Sequence, residues 1–128
     1  MRVDIQPLPD KPGFFRVTPH GAIDSESHDG FRQQIDPLLK PSTKGIVLDL
    51  RDVDYISSSG LGVLFLMKKT MAENKGWLLF CEMKPQIEKL FEVVKALPKD
   101  TIFSNFQEAD KYFYEIMNRE IKRLQSGG

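Results

Sequence analysis

The segment GIVLDLRDVDYISSSGLG, residues 45–62, decides the fold and points to the function. It begins with an apolar run typical of a buried strand, passes through a short acidic loop, and ends with Ser57, Ser58 and Ser59 at the predicted start of a helix. Backbone N–H groups in the first turn of a helix lack intrahelical partners and lie at the positive end of the helix dipole. A serine there can cap the helix through its hydroxyl or, once phosphorylated, present an anion to these groups.

A second apolar run, Trp-Leu-Leu-Phe-Cys at 77–81, follows the predicted helix. Two buried strands joined by a helix predict a parallel βαβ unit, with the helix running from about Ser59 to Asn74 and closed by left-handed backbone within 74–76. Cys81 is the sole cysteine, so it cannot form an internal disulfide. We expect it to be a buried strand thiol.

The N-terminal third of the chain predicts a hairpin and a helix. Apolar and polar residues alternate on both sides of the turn residues 10–13, as in two paired strands. From Ser25 onward, apolar residues recur at helical spacing. Pro37 should bend this helix and Pro41 should end it.

The C-terminal third predicts a helix, an edge strand and a last helix. Pro85 suits the first turn of a helix, Ile102 and Phe103 suit a short edge strand, and Asn105-x-x-Glu108 resembles a capping box that opens the final helix. We therefore predict an α/β fold with a mixed β-sheet of four to five strands and about four α-helices. The predicted domain covers 1–123, and 124–128 is predicted to be a flexible tail.

Length, charge balance and hydropathy limit the classes of function that we expect for the chain. The chain has 128 residues, 41% hydrophobic and 28% charged, which fits one compact domain. Its 18 basic residues balance 18 acidic ones, so composition gives no support for a nucleic-acid partner. No apolar stretch approaches the ~18 residues of a membrane span, and the N-terminus lacks the apolar core of a signal peptide. We expect a cytoplasmic protein without direct membrane insertion.

Motifs for metal, nucleotide or hydrolytic chemistry are incomplete. His20 and His28 have no cysteine or carboxylate at metal-ligand spacing. Gly60 and Gly62 lie beside serines, but Val63 stands where a phosphate-binding loop would carry lysine. The serines also lack the Gly-x-Ser-x-Gly frame of an esterase. We predict no metal, no cofactor and no enzymatic activity.

Three aspartates surround the end of the first buried strand. Asp49, Asp52 and Asp54 could form a magnesium or phosphoacceptor cluster, but carboxylates at alternate positions of a strand end are more often solvated loop charges. We favour the solvated interpretation for all three.

The helix after the serines carries more apolar residues than one stripe can hold. Four of them can face the sheet: Leu61, Leu64, Phe65 and Met71. The others point elsewhere and form either a second packing layer or an exposed patch: Val63, Leu66 and Met67. An exposed patch beside the serines would be a docking surface for another protein or for a second copy of the chain.

Four motifs lie along nearly the whole chain: Gly21-x-Ile-Asp24, Val47-Leu-Asp-Leu50, Val53-Asp-Tyr-Ile-Ser-Ser-Ser-Gly-Leu-Gly-Val-Leu64 and Ile102-Phe103-x-x-Phe106-x-Glu-Ala109. With these motifs the chain resembles the STAS domain family, the module shared by anti-sigma factor antagonists and the cytoplasmic tails of sulfate transporters. The resemblance is to the free-standing antagonists. It implies that 1–123 is one STAS-like domain.

In those antagonists, the resemblance implies, the hydroxyl just before the motif glycine is phosphorylated by a serine kinase that is itself the anti-sigma factor. That position is Ser59 here, with Ser58 as the second candidate. Phosphorylation releases the antagonist from the kinase, and a phosphatase restores binding. The expected motif and partner-binding positions are Asp24, Ser57, Ser58, Ser59, Gly60, Leu61, Val63, Leu66 and Met67.

The chain departs from the family motif at one position. The aspartate that opens the motif is Ser57 here, so the fixed negative charge beside the phosphoacceptor is missing. Divergent STAS proteins act as unphosphorylated scaffolds or as subunits of lipid-transport complexes. A constitutive partner subunit of a transport or signalling complex is therefore an alternative. A small enzyme or nucleotide binder using Ser59 or Asp49 is a third hypothesis.

Overall fold

The computed structural model describes residues 1–94 and 99–126 of the chain. Within these residues, five strands form one sheet and four α-helices pack on it. The strands are β1 (Arg2–Pro7), β2 (Phe14–His20), β3 (Gly45–Asp49), β4 (Trp77–Cys81) and β5 (Ile102–Phe103). The α-helices are α1 (His28–Ile35), α2 (Ser58–Glu73), α3 (Pro85–Val94) and α4 (Phe106–Ser126). Short 3-10 turns lie at Asp36–Leu38 and Lys99–Thr101.

The strands lie side by side in sequence order. β1 and β2 form the predicted antiparallel hairpin, with Ile5 opposite Val17. Every later pair, from β2·β3 to β4·β5, is parallel. The mixed sheet, the central βαβ unit and the edge strand at Ile102–Phe103 are thereby confirmed.

The continuous apolar run of β3 is explained by burial on both faces of the sheet. Ile46 and Leu48 pack in a core that includes residues of α1, α2 and α3. Val47, between them, points to the opposite face and packs in a second core with Phe113 of α4. The aromatic ring of Phe113 meets Phe14 edge to face, with centroids 4.9 Å apart. Successive residues thus serve two different cores, which leaves no polar face on this strand.

The turn after α2 is left-handed, as predicted, but the residue that adopts it is a lysine. Lys75 has a φ of 58°, and the Gly76 N–H donates to the Met71 carbonyl at 2.7 Å. A Cβ on Gly76 would lie 2.7 Å from the Met71 methyl carbon and 3.1 Å from the Lys44 carbonyl oxygen, so a larger residue would require the end of the Met71 side chain to move.

Neither proline acts on the first helix as predicted, because the α-helix ends before both Pro37 and Pro41. The α-helix stops at Ile35, and Pro37 lies in a following 3-10 turn instead of bending a longer helix. At the other terminus, α4 continues to Ser126, past the predicted domain boundary at 123. The segment 127–128 of the predicted tail lies outside the described residues.

Cys81 is a buried strand thiol, as predicted. Burial raises its pKa to about 12, with the negative charges of Asp49 and Glu82 adding to the effect. Among the described residues, no helix has the length and hydropathy needed to cross a membrane.

Candidate functional site: the serine loop before α2

The three serines lie where the loop 50–57 passes into α2, and a distant segment of the chain holds the backbone of this loop. The Ile23 N–H donates to the Tyr55 carbonyl at 3.0 Å, and the Ser57 N–H donates to the Ile23 carbonyl at 2.9 Å. Ile23 and Ile56 also form an isolated parallel bridge. Because both backbone groups of Ile23 are used, the loop enters α2 in one defined conformation.

Ser57 is the helix cap. Its backbone is extended and its Oγ accepts from the Gly60 N–H at 3.2 Å. The Leu61 N–H donates to the Ser57 carbonyl at 2.8 Å as the first bond of the helix. The N–H groups of Ser58 and Ser59, in the same first turn, have no acceptor within the helix. Ser58 is exposed and Ser59 is half-buried.

Gly60 is required by close packing, which sequence analysis missed. A Cβ built on Gly60 would lie 2.2 Å from the Ile23 carbonyl oxygen, so no larger residue fits without moving backbone. A Cβ on Gly62 would meet nothing within 4 Å. The two glycines of the motif therefore have different roles, and no local sequence signal separates them.

Asp24 shapes the neighbouring turn. Its Oδ1 accepts from the N–H groups of Ser27 and Glu26, both at 3.0 Å, and from the Ser27 hydroxyl at 3.2 Å. These hydrogen bonds, the one from the Ser27 backbone foremost, lower the pKa of Asp24. Asp24 thus fixes the turn that leads from the Ile23 anchor into α1.

The predicted exposed patch on α2 is only partly present. Val63 and Met67 are buried, with 5% and 0% exposure, so the second packing layer is the alternative that holds for these two and their assignment as partner-binding positions is wrong. They lie in the same core as Phe31 of α1, because α2 is covered by α1 as well as by the sheet. The partly exposed apolar residues near the serines are Leu61, Phe65 and Leu66.

Asp49 is not the solvated loop charge that the sequence predicted. It is fully buried at the end of β3, where its Oδ2 accepts from Arg16 Nη2 at 2.6 Å and its Oδ1 from Arg51 Nε at 3.1 Å. Burial raises the pKa of this carboxyl, but the hydrogen bonds from Arg51 and Arg16 outweigh burial and leave the pKa below its usual value. Arg16 also stacks on Phe106 of α4, 3.9 Å from the ring centroid.

The other two aspartates of that stretch are exposed, as predicted. His20 lies between two carboxylates, with its Nδ1 2.9 Å from Asp52 Oδ2 and its Nε2 2.8 Å from Asp4 Oδ2. This contact joins β1, β2 and the serine loop. In the part of the chain that the structure describes, no group of three or more His, Cys, Asp or Glu side chains could hold a metal ion.

The fold and the position of the serine loop agree with a known family. The sequence profile of the STAS domain matches residues 7–109 of the chain. The chain belongs to the STAS domain family. In this STAS domain, the matched region includes strands β2 to β5, the serine loop, α2 and the start of α4, whereas β1 lies almost entirely before it.

Curated relatives of this STAS domain carry antagonist names. A Bordetella bronchiseptica protein named as anti-sigma factor antagonist BtrV is 33% identical over 73 residues, which cover 57% of this chain and 63% of BtrV. The match therefore spans less than two thirds of the length of BtrV. The anti-sigma F factor antagonist of Paenibacillus polymyxa is 28% identical over 82 residues, covering 63% of this chain and 70% of that protein.

Solved structures share the STAS fold. An anti-sigma factor antagonist from Thermotoga maritima superposes with a TM-score of 0.78 at 18% identity, covering 87% of this chain and 93% of that one. Phosphorylated SpoIIAA of Bacillus gives 0.66 at 13% identity, covering 92% and 98%. The murine Slc26a9 anion transporter gives 0.71 at 17% identity, covering 81% of this chain and 18% of the transporter. At these identities the likeness shows the fold alone.

Proposed function

We propose that this STAS domain is an anti-sigma factor antagonist-like regulator that binds a serine-kinase anti-sigma factor and is controlled by phosphorylation of Ser59. The observation that carries the proposal is the position of Ser59 in the first turn of α2, directly before Gly60, on a loop fixed by hydrogen bonds to Ile23. The antagonist names of BtrV and of the Paenibacillus relative support it. SpoIIAA, which shares the fold, has been solved in both unphosphorylated and phosphorylated forms.

The geometry suits a switch that works by charge. A phosphate adds about 1.5 to 2 negative charges and three acceptor oxygens at neutral pH. At Ser59 it would find the N–H groups of the first turn, so α2 can tolerate the anion without unfolding. A partner docked on the exposed Ser58 and the partly exposed Leu61 would meet this new charge directly.

Ser57 and Ser58 fit other parts in this scheme. Ser57 already accepts a hydrogen bond from Gly60, so it keeps the capping role that the family aspartate would also fill, without its charge. Ser58 is the more exposed hydroxyl and remains the second candidate acceptor. A phosphatase would reset the switch, and the cycle needs no catalysis by this chain. The proposal places the protein in the cytoplasm.

The first experiment identifies the partner and the modification together. The protein is purified from its native host, co-purified proteins are identified, and the tryptic peptide 52–68 is examined by mass spectrometry for phosphate. A kinase-like partner and a phosphate on Ser59 are expected. A phosphate found on Ser58 instead would make Ser58, the second candidate, the phosphorylated residue of the proposed switch.

The second experiment measures the switch itself. Binding of the purified kinase partner is compared by calorimetry for wild type, Ser59→Ala and Ser59→Asp. We expect Ser59→Ala to keep wild-type affinity and Ser59→Asp to weaken binding at least 100-fold, because only the second places an anion in the interface. Ser42→Asp, at an exposed position just before β3 at the other end of the sheet, is the matched control for an added charge and should bind as wild type does. Equal affinities for Ser59→Ala and Ser59→Asp would remove the switch.

A constitutive partner subunit of a transport or signalling complex is the second candidate. It is favoured by Ser57, which leaves the loop without the family aspartate, and by the likeness to part of the Slc26a9 transporter. Its signature would be an unmodified 52–68 peptide and co-purification with a transporter component. That association would be insensitive to Ser59→Asp.

A further inference from the structure

A second concave site lies at the other end of the sheet. The serine loop follows the C-terminal end of β3, whereas Lys44 and Trp77 lie where β3 and β4 begin. Between these strand starts and the C-terminal half of α4 there is a groove of about 540 Å³. This volume is within the ~300–1,000 Å³ of typical small-molecule sites.

The groove has apolar walls and a positive rim. Trp77, Ile116 and Ile121 contribute to its apolar lining. Lys44, Lys75 and Arg123 are its charged residues, and no acidic side chain is among the described lining residues. An apolar surface whose charged residues, among those that the structure describes, are all cationic complements a molecule that is apolar along its length and anionic at one end.

The apolar lining is more exposed than is usual for such side chains. Trp77 is 40% exposed and Ile121 is 48% exposed, although both are large and apolar. The Trp77 ring is nevertheless held in place, because it meets Tyr112 of α4 edge to face at a centroid distance of 6.1 Å. The groove therefore keeps open apolar surface on a fixed wall.

The backbone that carries the two lysines is equally fixed. The Lys44 N–H donates to the Gly13 carbonyl at 2.7 Å, and the Trp77 N–H donates to the Lys44 carbonyl at 3.0 Å. Lys75 occupies the left-handed turn with a φ of 58°, where glycine or asparagine would be less strained. A lysine is thus placed at the rim despite a local conformational cost.

We propose that this groove binds an amphiphilic carboxylate, such as a medium-chain fatty acid. The aliphatic chain lies against Trp77, Ile116 and Ile121, and the carboxylate pairs with Lys44 and Lys75. Burial of the chain provides affinity, and the two ammonium groups select an anion over a cation of the same length. The site is separate from the serine loop and does not depend on its phosphorylation.

Trp77 is the sole tryptophan of the chain, so its fluorescence reports directly on the groove. The full chain is titrated with dodecanoate and, separately, with dodecyltrimethylammonium, both below their micelle-forming concentrations. We expect a saturable change in Trp77 emission with dodecanoate. Binding of the cation, which has the same chain length and the opposite charge, should be at least tenfold weaker.

Variants separate the charge from the apolar wall. Lys44→Gln combined with Lys75→Asn removes two cations, and asparagine suits the left-handed backbone. We expect at least tenfold weaker dodecanoate binding, whereas Lys89→Gln on the exposed face of α3 should bind as wild type does. Ile121→Glu, at an exposed position, should abolish binding of the anion. Circular dichroism and thermal unfolding verify that each variant is folded.

Several results would overturn the proposal. Absence of saturable binding, equal affinity for the two amphiphiles, or an unchanged affinity in the double lysine variant would each exclude an anion-selective site. Concentration-dependent dimerisation in sedimentation, abolished by Ile121→Glu and unaffected by dodecanoate, would assign the groove to a second copy of the chain. Ser59→Asp should leave the dodecanoate affinity unchanged, so failure here is distinguishable from failure of the proposed switch.

Discussion

The two ends of the sheet differ in that one pairs its polar groups within the protein and the other leaves large apolar side chains exposed. At the serine-loop end, polar groups are paired: Ile23 holds the loop through both its backbone groups, and Arg16 and Arg51 neutralise the buried Asp49. At the groove end, large apolar side chains such as Trp77 remain in contact with solvent. The first end presents a hydroxyl in a fixed place for another protein to modify. The second keeps apolar surface available for a ligand that fills it.

The difference follows from chain connectivity. The loop after β3 is short and is anchored by a segment from the neighbouring strand connection, so its conformation is determined by contacts between distant residues. The groove forms because α4, at 21 residues, is much longer than the five-residue strands it covers. Its last turns therefore extend beyond the sheet with no strand to pack against.

The largest predicted effect is a loss of stability at the serine-loop end of the sheet. Gly60→Ala places a Cβ 2.2 Å from the Ile23 carbonyl oxygen, and overpacking against backbone should lower the free energy of unfolding by about 3 kcal/mol. Urea unfolding measures this loss. The matched control is Gly62→Ala, where the Cβ meets open space and the better helix propensity of alanine should stabilise by up to ~1 kcal/mol. Similar values for the two variants would mean that α2 does not begin tightly packed on Ile23.

A second prediction concerns the buried charge. Asp49→Asn removes the charge that accepts from Arg16 and Arg51 and should cost about 2 kcal/mol. Because the pKa of Asp49 is lowered in the folded protein, its contribution is present above the unfolded-state pKa of about 3.9 and is lost as pH falls through the folded value. We expect the difference in free energy of unfolding between wild type and Asp49→Asn, measured from pH 7 downward, to narrow only below about pH 4. A stability difference between the two proteins that does not change with pH would mean that the ionised carboxylate of Asp49 does not stabilise the serine-loop end of the sheet.

The smallest predicted effect is the stability lost when the helix cap at Ser57 is removed. Ser57→Ala removes the oxygen that accepts from the Gly60 N–H and should cost about 1 kcal/mol. Ser58→Ala, at an exposed position, should change stability by less than about 0.5 kcal/mol. Trp77 emission should be unaltered in both folded variants, since the change is at the opposite end of the sheet. Equal losses for the two serines would contradict the assignment of Ser57 as the cap.

Much of the fold follows from local pattern. The apolar runs of β3 and β4, the helix between them and the turn residues of the hairpin are short-range signals, and each predicted the element found. Local pattern left burial and exposure of Val63 and Met67 as open alternatives, because the outcome depends on α1 covering α2. Asp49 was misassigned for a similar reason, since its partner Arg16 is 33 residues away in sequence.

The features of the candidate site likewise differ in whether a local sequence pattern or a distant residue determines them. The serines and the capping role open to Ser57 were visible in the sequence, because helix starts have local signatures. The packing demand at Gly60 comes from Ile23 and has no local signal. The groove was missed because helical spacing in α4 marks Ile116 as a core-facing residue without showing where the sheet beneath it ends.

The chemistry of Cys81 has a practical consequence. A thiol that is buried, with a pKa raised to about 12, stays protonated and out of reach of alkylating reagents at neutral pH. Because no other cysteine is present in the sequence, a single cysteine introduced at the exposed Ser58 or at Leu124, which is 74% exposed, would be the one reactive thiol in the protein. A dye or spin label could thus be attached to either end of the sheet without first replacing the native cysteine.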